Sequence, residues 1–297
     1  MSFTHLLIAL TLLVWGTAGI FDKLALSRSC NRTVFVVFHL FNLPLLLVLS
    51  AVAYCSGGVS WNGALWAWQA AAGGCGVLAV VLYLTAMKRT DASYVLGITA
   101  AYPVISSLIA APLLGEPLSA GRLAGAALVS FGVALIGFTP PSSGKRLSKR
   151  DWLVVAPSVI IAAILWGAIG VFEKLAVAHG PELEAYIAEC AWELLFAMAL
   201  WSAWHVRGTR LSLRDLPTWR FGWLSAAGVA VGNYAVLLLF ARETAGYAIV
   251  LTACYPLVMY VLAVTFLKEK LNTFRVLGIV CVVAGGVLTE LLKIALG

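Results

Sequence analysis

Apolar residues along this chain do not alternate with polar ones at a helix or strand period. They run almost continuously for stretches of about 20 residues, broken by short clusters of charge, proline, glycine or asparagine. Hydrocarbon about 30 Å thick takes about 20 apolar residues per helical crossing, and lipid offers no partner to an open backbone, so such runs predict membrane-spanning helices. Ten fit: Thr4–Lys23, Val34–Tyr54, Trp61–Met87, Asp91–Leu113, Gly121–Phe138, Trp152–Ala178, Ala185–Val206, Trp219–Ala241, Gly246–Leu267 and Phe274–Leu292. The fold class expected is an all-α polytopic membrane protein. The first run has no Lys or Arg before Lys23, so it reads as a retained helix rather than a cleaved leader.

The pattern repeats. Trp15–Ala25 reads WGTAGIFDKLA, and Trp166–Ala176 reads WGAIGVFEKLA. Thr99–Glu116, TAAYPVISSLIAAPLLGE, returns as Thr252–Glu269, TACYPLVMYVLAVTFLKE, with Thr-Ala, Tyr-Pro and the closing Glu in register. Recurrence of this kind marks a duplicated unit. The polar stretch Thr139–Asp151 reads as a linker, so the expected organisation is a first five-helix repeat over residues 1–139, a linker over 140–151 and a second repeat over 152–297. Five is odd, so the second copy enters the membrane from the opposite face, and the repeats are inverted around a central cavity.

Composition agrees with a membrane class. Of the 297 residues 62% are hydrophobic and 11% charged, with mean hydropathy +0.98; soluble domains carry about 25% charged residues. The net charge of +7 lies mostly in the loops after odd-numbered spans, which argues against a nucleic-acid partner and, by the positive-inside rule, puts the linker in the cytoplasm and both termini outside. A bacterial inner membrane is the expected location. Cys30, Cys55, Cys75, Cys190, Cys254 and Cys281 lie singly, as apolar filler rather than a disulfide or metal framework. No metal or other cofactor is implied.

Candidate chemistry sits inside the spans. Tyr186, Glu189 and Glu193 share one face of the seventh span, with Trp192 beside them. On the insertion-derived scale an Asp at the centre of a spanning helix costs roughly 2.5–3.5 kcal/mol, so an acid there needs a wet cavity or a partner. The first-half counterparts of Glu189 and Glu193 are Phe38 and Asn42, with His39 nearby. Trp15, Ala18, Gly19 and Asp22 share a face in span one, as do Trp166, Ile169, Gly170 and Glu173 in span six. Two readings stand for Asp22 and Glu173: interfacial acids paired with Lys23 and Lys174, or part of a pocket. Pro103 and Pro256 each remove a helical hydrogen bond mid-span, bringing Tyr102 and Tyr255 towards a cavity, since paired broken helices point to a transporter site. Asn233 is a weaker candidate. The expected solute-binding set is Trp15, Asn42, Tyr102, Trp166, Glu189, Trp192, Glu193 and Tyr255. Glu193, Glu189 and His39 are the candidates for proton coupling, with His39 equally readable as a satisfied interior histidine.

Trp-Gly followed by Lys in spans one and six, mid-helix Tyr-Pro in spans four and nine, and Gly115-Glu116 closing span four together resemble the EamA-type drug/metabolite transporter superfamily. The resemblance covers nearly the whole chain. It implies a ten-helix fold and alternating access for small metabolites such as amino acids, amines or sugar derivatives, often outward. Trp15, Gly16, Lys23, Trp166, Gly167, Lys174, Pro103 and Glu116 match its motifs. Span nine departs from it, with Lys268 before Glu269 where Gly is usual. The Lys and Glu of these motifs read as packing devices.

The solute expected is a small cation or zwitterion, because carboxylates are interleaved with aromatic faces that add about 0.5–2 kcal/mol of cation–π attraction each. Rival readings are a transporter of anionic or sugar-type solutes and a membrane-embedded enzyme on a lipid-linked substrate. No HExxH, GxSxG or phosphate-binding glycine loop is present, which argues against catalysis. Besides the solute, membrane lipid is the one partner implied, and monomer and homodimer stay open.

Overall fold

The computed structural model describes residues 2–89, 95, 99, 101–116, 120–137, 148–209, 211–267 and 273–296. Among them every regular element is helical: α1 (Phe3–Arg28), α2 (Asn31–Leu40), α3 (Asn42–Cys55), α4 (Gly63–Met87), α5 (Tyr102–Leu114), α6 (Ala120–Gly137), α7 (Lys149–Val177), α8 (Glu182–Val206), α9 (Leu216–Phe240), α10 (Ala245–Thr252), α11 (Tyr255–Leu267) and α12 (Thr273–Leu296). Most of the linker, the start of span four, and Lys268 and Glu269 lie outside the described residues.

Several helices start where a short polar side chain replaces a missing helical partner. Asn62 accepts from Ala64 and Leu65 ahead of α4, Ser148 from Asp151 in α7, Asp215 from Thr218 in α9 and Thr244 from Tyr247 in α10. Gly115, at φ 67°, closes α5 in the left-handed conformation that glycine adopts at low cost.

Six described stretches are long and apolar enough to cross a membrane: Phe3–Arg28, Asn31–Cys55, Gly63–Met87, Asp151–Val177, Leu216–Phe240 and Ala245–Leu262. Tyr102–Leu114, Ala120–Leu135 and Val276–Leu292 are shorter apolar helices. Large apolar side chains such as Leu47, Phe131, Ile160, Leu195 and Val261 point outward, as they do when lipid is the solvent. The protein is a multi-pass integral membrane protein.

Two expected spans prove to be interrupted. Span two breaks at Phe41 between α2 and α3, and span nine breaks at Ala253-Cys254 between α10 and α11. The physical cause is the same in both. Pro44 and Pro256 carry no N–H for the carbonyls four residues back, and those residues, Leu40 and Thr252, are the last of α2 and α10. Span one runs past its expected end at Lys23 to Arg28.

Packing joins the two halves of the chain. α6 lies along α12, α4 along α7 and α1 along α9, with α5 against α7, α1 against α11, and α8 between α3 and α4. The Trp-Gly glycines allow close approaches: a Cβ on Gly16 would sit 2.8 Å from Val258 Cβ, and one on Gly167 2.8 Å from Ile105 Cγ2. Small residues at helix crossings let backbones meet in this way.

Candidate functional site

One cavity of about 230 Å³ lies where the helices of the two halves converge. At about 30 Å³ per liquid water, that is room for roughly eight waters or one small solute. Four carboxylates line it: Asp22 on α1, Glu173 on α7, and Glu189 and Glu193 on α8. Among the described residues, no Lys, Arg or His lines it.

Each helix delivers its acid through the spacing of its own turn. Glu189 and Glu193 stand one turn apart on α8, as their four-residue spacing requires. Glu189 Oε1 accepts from Asn233 Nδ2 on α9 at 2.8 Å, and Glu193 Oε2 from Asn42 Nδ2 on α3 at 3.0 Å. Asp22 Oδ1 accepts from Ser225 Oγ at 2.7 Å. Glu189 Oε2 is buried without a partner, and Glu173, only 6% exposed, makes no hydrogen bond among the described residues. A carboxylate withdrawn from water is costly unless compensated, so these oxygens are open to a cation or a proton. Gly76 keeps room for Glu193, whose Oε1 would lie 3.2 Å from a Cβ placed there.

Aromatic rings complete the wall. Trp15 meets Tyr255 edge to face with centroids 5.8 Å apart, and Trp166 tilts against Tyr83 at 5.2 Å. Tyr102 also lines the cavity. The Tyr102 hydroxyl and Trp15 Nε1 have no hydrogen-bond partner among the described residues. The open turn between α10 and α11 brings Thr252 and Tyr255 to the same wall.

Of the residues singled out from sequence, the structure thus brings Trp15, Tyr102, Trp166, Glu189, Glu193 and Tyr255 to one cavity, and sets Asn42 just behind it as the donor to Glu193. Trp192 and His39 lie elsewhere. Trp192 Nε1 donates to the Trp66 carbonyl at 3.0 Å, and its ring stacks on Phe196 at 5.4 Å. His39, 1% exposed, sets Nδ1 2.9 Å from the Phe35 carbonyl. Asp22 and Glu173 enter the cavity rather than pairing with the neighbouring lysines. Lys174 Nζ instead donates to the Phe240 and Glu243 carbonyls at the end of α9, and Glu116 accepts from the Ala245 and Gly246 amides at the start of α10. These two motif residues staple the turn between α9 and α10. Asn233, the weaker candidate from the sequence, also lines the cavity, whereas Tyr83 and Thr252 are wall residues that periodicity does not single out, because a lone polar or aromatic residue in an apolar run has many packing uses. No three His, Cys, Asp or Glu side chains among the described residues form a group that could hold a metal.

The EamA-like transporter family matches twice, over residues 2–138 and 153–291. A solved structure, described only as a crystal structure of a protein, superposes with a TM-score of 0.76 at 17% identity, covering 99% of this chain and 98% of its own; at that identity the likeness is one of fold. No curated protein matches the sequence. With nearly the whole chain covered by the two family matches, the protein belongs to the EamA-like transporter family, as a membrane transporter of the drug/metabolite type.

Proposed function

We propose that this protein is a secondary active transporter that exchanges a small cationic or zwitterionic metabolite, such as an amine or amino acid, for protons by alternating access. One observation carries the reading: four carboxylates and no described basic residue line a single cavity of about 230 Å³. Such a wall attracts an ammonium group, and Trp15, Trp166 and Tyr255 add cation–π faces. A proton and the solute compete for the same oxygens, so binding one releases the other without a second site. Glu193, hydrogen-bonded to Asn42 on the facing helix, is the proposed coupling residue, with Glu189 and Glu173 sharing the cation. His39 and Trp192 support the helices around them. Export is the proposed direction, on the family resemblance.

The architecture proposed is ten spans in two inverted repeats, residues 1–139 and 152–297. The exchange of packing partners supports it. Adding five to the span number turns α4 against α7 into α9 against α1, and α5 against α7 into α11 against α1, while α6 against α12 maps onto itself. Repeats of this kind let one bundle rock against the other around a fixed site.

The test is a thermal-shift panel on the purified protein, since a ligand stabilises the state it binds. Amines or amino acids should raise the melting temperature. Stabilisation only by carboxylates or sugar phosphates would overturn the charge argument.

A further inference from the structure

We infer that the preferred solute is a dication, an aliphatic diamine that spans two acidic poles of the cavity. The inference rests on the cation reading and narrows it.

The poles are separated along α9. Ser225 holds Asp22 and Asn233 holds Glu189. Eight residues at 1.5 Å rise put these two anchors about 12 Å apart along the helix axis. Halfway between them, at the same four-residue spacing and so on the same face, Val229 lines the cavity. The wall therefore runs from an acid through an apolar stretch to a group of acids, Glu189 with Glu173 and Glu193. Beside it, packed along α9, α1 carries Asp22, then Gly19 and Ala18, then Trp15, again leading from charge to apolar surface.

A monovalent solute leaves one pole without a counter-charge. The unmet demand is visible at Glu189, a side chain 3% exposed whose Oε2 has no hydrogen-bond partner among the described residues. An ammonium nitrogen stands about 3 Å from the oxygen it serves. With the two acids spaced as their anchors on α9 are, about 12 Å apart, removing that length at each end leaves about 6 Å between two nitrogens, the reach of a chain of roughly four or five carbons. A solute of that size suits a volume of about 230 Å³.

The experiment measures affinities of diaminopentane, diaminoethane and aminopentane for the full-length purified protein by calorimetry at one pH and salt concentration. Diaminopentane should bind at least about tenfold tighter than either of the others, because the second charge-assisted contact forms only when both poles are reached. Asp22→Asn should bring the ratio of diaminopentane to aminopentane affinity close to one. Ser225→Ala, which frees the Asp22 carboxylate without removing it, should lower the ratio part of the way. Equal wild-type affinities for diaminopentane and aminopentane would overturn the two-pole inference while leaving the cation reading in place. A ratio unchanged in folded Asp22→Asn would overturn Asp22 as the second pole. Should Asp22→Asn not fold, the wild-type comparison among the three amines still decides. Failure of all three amines to bind, with carboxylates binding instead, would remove the underlying reading as well.

Discussion

Glu184, in the first turn of α8 and just ahead of the apolar run that begins at Ala185, anchors the loop between α3 and α4. Its Oε2 accepts from Ser60 N at 2.9 Å and Ser60 Oγ at 2.5 Å, and its Oε1 from Asn62 N at 3.1 Å and Trp66 Nε1 at 3.0 Å. Between these contacts Trp61 sits at φ 56°, a backbone state that costs a non-glycine residue on the order of 1–3 kcal/mol and persists where its surroundings fix it. Glu184→Gln keeps one accepting oxygen and turns an NH₂ towards two donors. Two hydrogen bonds to a charged group are lost, at about 1.5–3 kcal/mol each; water at the loop offsets part of this, leaving about 3 kcal/mol and a fall of several degrees in melting temperature. Burial by itself would raise the Glu184 pKa, but the hydrogen bonds from Ser60, Trp66 and Asn62 outweigh it and hold the carboxyl below its usual range. A folded-state pKa below the unfolded value of about 4.3 means that the ionised group stabilises the fold above that pH and loses its contribution as pH falls through the folded value. The gap between wild type and Glu184→Gln in thermal unfolding should therefore be full at pH 7 and shrink below about pH 4.3. Equal melting temperatures at pH 7, or a gap that does not shrink in acid, would refute the reasoning.

Two further outcomes follow from packing. Gly132→Ala would put a Cβ 2.6 Å from both Gly278 O and Val282 N at the crossing of α6 and α12, a backbone clash worth about 1–3 kcal/mol, so its melting temperature should drop while its relative affinities among solutes do not change. Lys174→Met removes the donor to the Phe240 and Glu243 carbonyls and should destabilise by about 2 kcal/mol, measured by the same unfolding assay.

The sequence makes the helical class legible because a 20-residue apolar run has few other uses, and the central acids because Glu189 and Glu193 are costly anywhere but in a cavity. What it hides is direction around the helix. Lys174 follows Glu173, and adjacent residues do not share a face, so the acid turns into the cavity while the lysine reaches the end of α9. Trp192 and Glu193 separate for the same reason, the tryptophan packing towards Gly73 and Trp66 on α4. Pro44 opens span two much as Pro256 opens span nine, yet it lies three residues past the break at Phe41 in a leucine-rich run and attracts no notice there. The partner of each acid, Ser225, Asn233 or Asn42, comes from a distant helix, and no local pattern announces such a pairing.

The central claim is that a proton and a cation compete at Glu193 and its neighbours, and proton flux in proteoliposomes tests it most directly. With purified protein, an internal pH dye and an imposed pH gradient, adding an amine to one side should collapse the gradient in wild-type vesicles and leave it standing with Glu193→Gln. Amine-driven proton movement at the wild-type rate in that variant would contradict the account.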